Sequence, residues 1–193
     1  MKKHFFILMI CFAFFSCKQK EKEKSKAENF FPVLSFIKSQ VAHVDTSFYP
    51  IIKLTGLDTM HIDTTYVRRE DFRGLAKDFL EIPDITDKKI KALYKEENFY
   101  DESLNTVVLT YLPKDSVKAI VQRQEVLIIR GQDGDKVKTF IIDVSMFNKD
   151  SSVEKKMLWQ VDKSFQVFST VQKPDQSEIS TRFKVIWNKM DNE

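Results

Sequence analysis

The residues best suited to chemistry in this chain form a small repeat. His43-Val44-Asp45-Thr46-Ser47-Phe48 matches His61-Ile62-Asp63-Thr64-Thr65-Tyr66 in type at every position. An imidazole and a carboxylate two residues apart share one face of an extended strand. Two such pairs could offer nitrogen and oxygen ligands to a divalent ion. The simpler reading is two exposed turn or edge segments that look alike, and the chain holds only three histidines, His4 included. The simpler reading is preferred, and no metal site is expected. Glu96/Glu97 and Asp101/Glu102 could in principle act as acid and base on a glycosidic bond, but such clusters more often mark a solvated helix end. Serine and aspartate are plentiful, yet there is no Gly-x-Ser-x-Gly elbow, and His43 and His61 both come early, which argues against a serine triad. The four glycines make no phosphate-binding loop, and Gly131 and Gly134 suit a hairpin turn. No catalytic residue and no cofactor are expected.

Asp45-Thr46-Ser47 and Asp63-Thr64-Thr65 also resemble the Asp-Thr-Gly turn of aspartic proteases. Those enzymes take one aspartate from each of two lobes or subunits, whereas here both fall in one short stretch without the glycine. The residue with the clearest chemical fate is Cys17. Lys2 and Lys3 give a basic start, Phe5 to Phe15 is an unbroken apolar run, and Ser16-Cys17 precede the charged stretch Lys18-Gln19-Lys20-Glu21-Lys22-Glu23-Lys24. The run is shorter than the roughly twenty apolar residues that span a bilayer. Its length and flanks are those of an export signal over residues 1–16. Phe14-Phe15-Ser16-Cys17 resembles the lipobox of bacterial lipoproteins, with phenylalanines where leucine and a smaller residue are commoner. The resemblance implies cleavage before Cys17, a diacylglycerol thioether on its sulfur and an acylated amino terminus. Each buried methylene adds about 0.8 kcal/mol of membrane affinity, so two or three acyl chains make a stable anchor.

Cysteine use agrees with that fate. The chain has two cysteines, Cys11 and Cys17, so everything after the lipobox is free of thiols, disulfides and thiolate metal sites. The chain carries 31 basic and 28 acidic residues, a formal net charge of +3. That excess sits at the start: from Asn29 onward there are 24 basic against 25 acidic residues. The folded part therefore gives no composition argument for binding nucleic acid. Residues 17–28 are lysine- and glutamate-rich and low in apolar residues, which predicts a solvated, flexible tether with an average reach of about 20 Å.

Positioning falls to residues 29–193, read as one domain. A helix is expected from about Phe31 to His43, with Asn29 as its cap and Val33, Leu34, Ile37, Val41 and Val44 on its buried face. Tyr49–Leu54 and Met60–Val67 read as an extended pair. A second helix is expected over Arg69–Leu80 and a third over Ile85–Asn98. After Asp101 the pattern becomes alternation broken by turns. It gives strands over Thr106–Leu112, Ala119–Arg130, Val137–Phe147, Lys156–Val161, Phe165–Val171 and Ile179–Trp187. The fold class expected is α+β: N-terminal helices on a curved antiparallel sheet, a meander of about six strands. Phe72, Phe79, Phe99, Phe140, Trp159, Phe165, Phe168, Phe183 and Trp187 are the expected aromatic core.

Phe30-Phe31-Pro32-Val33-Leu34-Ser35-Phe36-Ile37-Lys38-Ser39-Gln40, with Arg69-Glu70-Asp71-Phe72 and Ala76-Lys77-Asp78-Phe79-Leu80, resembles a group of uncharacterised lipoproteins of Bacteroidetes-type bacteria. The resemblance implies a cell-envelope address, the outer membrane first, with the face left open, and it implies no chemistry. The function expected is a non-enzymatic binding or assembly module, lipid-anchored through Cys17, with an envelope protein as partner. The alternative is a lipid or lipoprotein carrier with an apolar cavity between sheet and helices. Mass spectrometry of the protein from its native host is expected to find the chain beginning at an acylated Cys17. A retained leader or an unmodified thiol at that position would remove the anchor.

Overall fold

The computed structural model describes residues 29–56 and 61–188. The expected leader 1–16, the tether 17–28 with Cys17, and the turn residues Leu57 to Met60 lie outside the described residues. In chain order the elements are α1 (Val33–Thr46), β1 (Ile51–Thr55), β2 (Asp63–Val67), α2 (Arg69–Leu75), α3 (Lys77–Leu80) and α4 (Lys88–Lys91). There follow β3 (Tyr94–Asp101), β4 (Thr106–Pro113), β5 (Val121–Ile129), β6 (Lys136–Phe147), β7 (Ser152–Gln160), β8 (Ser164–Gln172) and β9 (Ile179–Ile186). All nine strands join one antiparallel sheet in the order β2-β1-β9-β8-β7-β6-β5-β4-β3. The fold is α+β, with more strands and less helix than the sequence suggested.

Two differences account for the strand count. The early extended pair does not stand apart, because β1 pairs with β9 and brings β2 with it. The third expected helix, Ile85–Asn98, is a single turn at Lys88–Lys91 followed by β3. Tyr94–Asp101 contains good helix formers, but also Tyr94, Phe99 and Tyr100, and it pairs with β4 along its whole length. Strand pairing there outweighs a weak local preference. The second expected helix is split into α2 and α3 at Ala76, where ψ is 2°. Asn29 does not cap α1; Pro32 holds that position, and no side chain caps the helix start. Its other end is held by Arg69, whose Nη1 donates to Val44 O at 2.6 Å and Ser47 Oγ at 2.8 Å, and whose Nη2 donates to Tyr49 O at 3.0 Å. A guanidinium suits a helix C-terminus because the last carbonyls lack partners and carry partial negative charge.

α1 buries Val33, Ile37, Val41 and Val44, the stripe that its sequence spacing predicted. That stripe and Phe72, Ala76 and Phe79 belong to the same buried cluster as Phe140, Ile142, Met157, Trp159, Phe165 and Val185 of the sheet. Trp159 and Phe165 are direct cross-strand partners, and their rings stack at 5.2 Å and 11°. Phe79 meets Trp159 edge-on at 5.1 Å, Phe72 meets Trp187 edge-on at 5.3 Å, and Phe36 meets Phe140 edge-on at 5.3 Å. Such offset and edge contacts are the favourable ring geometries. Two of the expected core aromatics lie elsewhere: Phe99 is 58% exposed on edge strand β3, and Phe168 points to the other side of the sheet from Phe165 and Val167. No described helix is long and apolar enough to cross a membrane.

Where the chain enters the domain, the Phe30 ring lies 4.6 Å from Tyr111, and the Phe31 N–H donates to the Tyr111 hydroxyl at 2.9 Å. Burial pushes the Tyr111 phenol up from the ordinary 10.0 to about 12; the Phe31 bond pulls the other way and Glu96 adds a little. A pKa raised by folding favours the folded state fully below pH 10 and withdraws that contribution as pH climbs through about 12. Tyr111→Phe is expected to cost about 1 kcal/mol at neutral pH through the lost acceptor. It should also make the alkaline loss of stability shallower. Urea unfolding of both proteins at a series of pH values checks both effects.

Candidate functional site

Alternation along the strands sends one set of side chains to the helices and the other to a face that no described helix contacts. On that second face the register draws a row across the sheet: Thr110, Glu125, Ile141, Leu158, Gln166 and Lys184, each opposite the next. Beside it runs a second row, Arg123, Asp143, Lys156, Phe168 and Arg182. The two rows enclose an open cleft of about 320 Å³. Ile141, Leu158 and Phe168 make its apolar floor and are partly buried without a helix over them.

Charge is arranged around that floor. Arg123 donates from Nε to Asp143 Oδ2 at 2.9 Å and from Nη1 to Glu125 Oε1 at 3.1 Å. Nη2 also lies 2.9 Å from Asp143 Oδ2. Burial works against the Arg123 charge, but Asp143 and then Glu125 outweigh it and hold its pKa above the ordinary guanidinium value. Across the floor, Gln166, with its amide oxygen turned to the guanidinium, accepts from Arg182 Nε and Nη2, each at 3.0 Å. Both acids of the cleft are committed to Arg123, while Lys156 and Lys184 join no ion pair among the described residues. The rim opposite Arg123 is therefore cationic. Asp143 Oδ1 is buried and has no hydrogen-bond partner. A concave surface with an apolar floor and a few converging polar groups is the general form of a binding site. Nothing in it pairs a nucleophile with a base.

The residues first considered for chemistry do not assemble here. His43 and Asp45 lie in the last turn of α1, where Asp45 holds Arg73 at 2.9 Å. His61 and Asp63 lie at the start of edge strand β2. One half of the repeat is helix and the other strand; Val44 is fully buried while its counterpart Ile62 is exposed. The type-for-type match has no structural counterpart. Glu96 and Glu97 follow one another in β3 and so point to opposite faces, with Glu97 bound to Lys95 at 2.6 Å. Asp101 closes the β3–β4 turn by accepting from the Ser103 hydroxyl and from the Ser103 and Leu104 N–H groups, and the Ser103 hydroxyl bond is the largest cause of its lowered pKa.

Sequence reading passed over Arg123, Glu125, Asp143, Lys156, Gln166 and Arg182. One local signal pointed there: Arg123 and Glu125 are two apart in a strand and so share a face. The partner Asp143 becomes a neighbour only through the β5–β6 register. No family model, no curated protein and no solved structure matches the chain.

Arg123→Ala is expected to destabilise the protein by about 1–2 kcal/mol, less than a fully buried pair because solvent reaches the guanidinium. Asp143→Ala in the same chain should recover part of that loss, because only Glu125 then remains as a carboxylate without its partner. A double-mutant cycle in urea measures the coupling, and strictly additive losses would mean that the pair does not interact.

Proposed function

We propose that this chain is a lipid-anchored binding module of the cell envelope that holds a partner protein against its open sheet face and performs no reaction itself. The observation that carries the reading is the uncovered apolar floor of Ile141, Leu158 and Phe168 beside the cationic rim of Lys156, Arg182 and Lys184. Apolar surface left in water is a standing cost unless something covers it, and the rim favours an acidic edge on the covering segment. Cys17, through its resemblance to a lipobox cysteine, supports the anchor and the envelope address. The register shifts between β5 and β6 at Val121/Arg123 and Leu127/Ile128 support a curved sheet, because bulges bend strands.

The core bears on the carrier alternative. Carriage needs room between helices and sheet, and the rings that would line it pack on one another instead. The cleft described on the helix side holds about 180 Å³ and lies beyond α3, among Ile82, Ile120, Met146 and Met157, with Asp78 and Lys155 joined at 2.5 Å beside it. That is smaller than the roughly 300 Å³ at which ligand pockets begin. The filled core thus favours the binding module over the carrier.

Photo-crosslinking residues placed at Leu158 and Phe168 of the acylated protein in its native host are expected to give a discrete protein adduct. The adduct should weaken on Arg182→Glu and be absent from a probe at Leu104, in the β3–β4 turn at the sheet's edge. Equal adducts from all three positions, or none from the face, would remove the assignment. Lipid recovered in stoichiometric amount from the purified protein would restore the carrier reading.

A further inference from the structure

The strand register gives the sheet two ends, and the chain enters near one of them. Phe30 lies on Tyr111, two residues before the end of β4, and the Lys91 ammonium sits over the Phe30 ring at 4.9 Å. Lys91 closes α4, just before β3 begins. The same end carries the β4–β5, β6–β7 and β8–β9 loops. Two of these loops lift apolar side chains into solvent: Val117 is 88% exposed and Phe147, at the last position of β6, is 68% exposed. An open cleft of about 440 Å³ between the β4–β5 loop and the adjoining ends of β6 and β7 is lined by both Val117 and Phe147. A second, of about 300 Å³, lies between the β6–β7 and β8–β9 loops, where Phe147 is joined by Lys149 and Lys173.

We infer that this end of the sheet seats on the surface of the bilayer, with Val117 and Phe147 entering the interface. The inference rests on the anchor at Cys17 for its orientation. Twelve residues separate Cys17 from Asn29; as the flexible tether expected from their composition they span about 20 Å on average, which keeps the end where the chain enters close to the lipid. The far end, with Phe48 and Leu104, lies about 30 Å further along the strands. Apolar side chains raised at a loop end are the chemistry of interfacial binding, in which ring and alkyl groups sit at the headgroup boundary and charged groups stay in water. In these loops Lys114 and Lys118 lie beside Asp115, which pairs with Lys118 at 3.3 Å, Lys149 beside Asp150, and Lys173 beside Asp175 and Glu178, so the loops are neutral taken together and enter on their apolar groups. At the far end Leu104 follows Asp101 and Glu102, while the Arg69 guanidinium bonds Ser47 and Tyr49 on either side of Phe48, so the choice of end is set by the side on which the chain enters. With the domain seated in this way, the strands stand off the membrane and the cleft on the open face is held sideways to it, within reach of a partner in the same leaflet.

The test holds the protein at a vesicle without relying on acylation. The chain from residue 17 carries Cys17→Ser and an N-terminal histidine tag bound to nickel-chelating lipid in phosphatidylethanolamine–phosphatidylglycerol vesicles. With Cys17 replaced, single-site labelling is clean, and an environment-sensitive nitrobenzoxadiazole dye is attached at Val117→Cys, Phe147→Cys, Phe48→Cys or Leu104→Cys. The two near-end labels are expected to brighten about twofold or more on vesicle binding, as a dye does on leaving water for the interface. The two far-end labels should not change. Adding Phe147→Asp should reduce the Val117→Cys signal. Four dark labels, or four that brighten alike, overturn the seat. Because the tag replaces the acyl groups, that result leaves the anchor to be judged by mass spectrometry alone.

Discussion

The constraint on which the architecture turns is that β2 and β3, consecutive in sequence, lie at opposite edges of one sheet. At ordinary strand spacing nine strands make a sheet roughly 40 Å wide. The chain between the two edges has to cross that width, and it carries α2, α3 and α4 with it. It crosses on one side only. The aromatic side chains of that side, Trp159 and Phe165 first among them, find Phe72 and Phe79 above them. The other side is left with what the strands alone can provide. The packed core and the exposed cleft are thus two results of one connection.

The helical face and the last strand were legible because their signals are local. Val33, Ile37, Val41 and Val44 recur at helical spacing, and each is buried. Val185 in β9 and Trp187 just past its end lie two residues apart and both face the core. The stretch Lys95-Glu96-Glu97 misled because lysine and glutamate are good helix formers, while the partner that makes it a strand, β4, supplies hydrogen bonds that no window of that length contains. The cleft was illegible for the same reason on a larger scale. Arg123 and Asp143 are twenty residues apart, and Leu158, Gln166 and Lys184 become neighbours only when three strands are in register. Periodicity finds a face; it does not find which residues of distant strands meet on it.

The buried polar groups mark where the design is least settled. Gln124 is 2% exposed among apolar neighbours and its amide Nε2 has no acceptor, and the indole N–H of Trp159 likewise has none. Each such donor costs stability relative to an apolar side chain of the same shape. Asp143 Oδ1 is the third of these atoms, and it belongs to the carboxylate that anchors Arg123 at the edge of the cleft. The first two lie in the interior, where their cost has no visible return. The third belongs to a carboxylate whose other oxygen already takes two bonds from Arg123.

The position of β9 has a consequence for the order of events in folding. It is the last of the described strands in chain order, yet it sits between β8 and β1. The β1–β2 hairpin comes early in the chain and has no sheet to join until Ile179–Ile186 is in place beside β8. Most of the pairing can form as a meander of near neighbours, but the closing seam links residues more than a hundred positions apart, which slows folding. Until it closes, the hairpin is held by its own bonds and the helix beside it. A nonsense codon shortly before Ile179 would therefore remove an interior rung and cut the early hairpin loose.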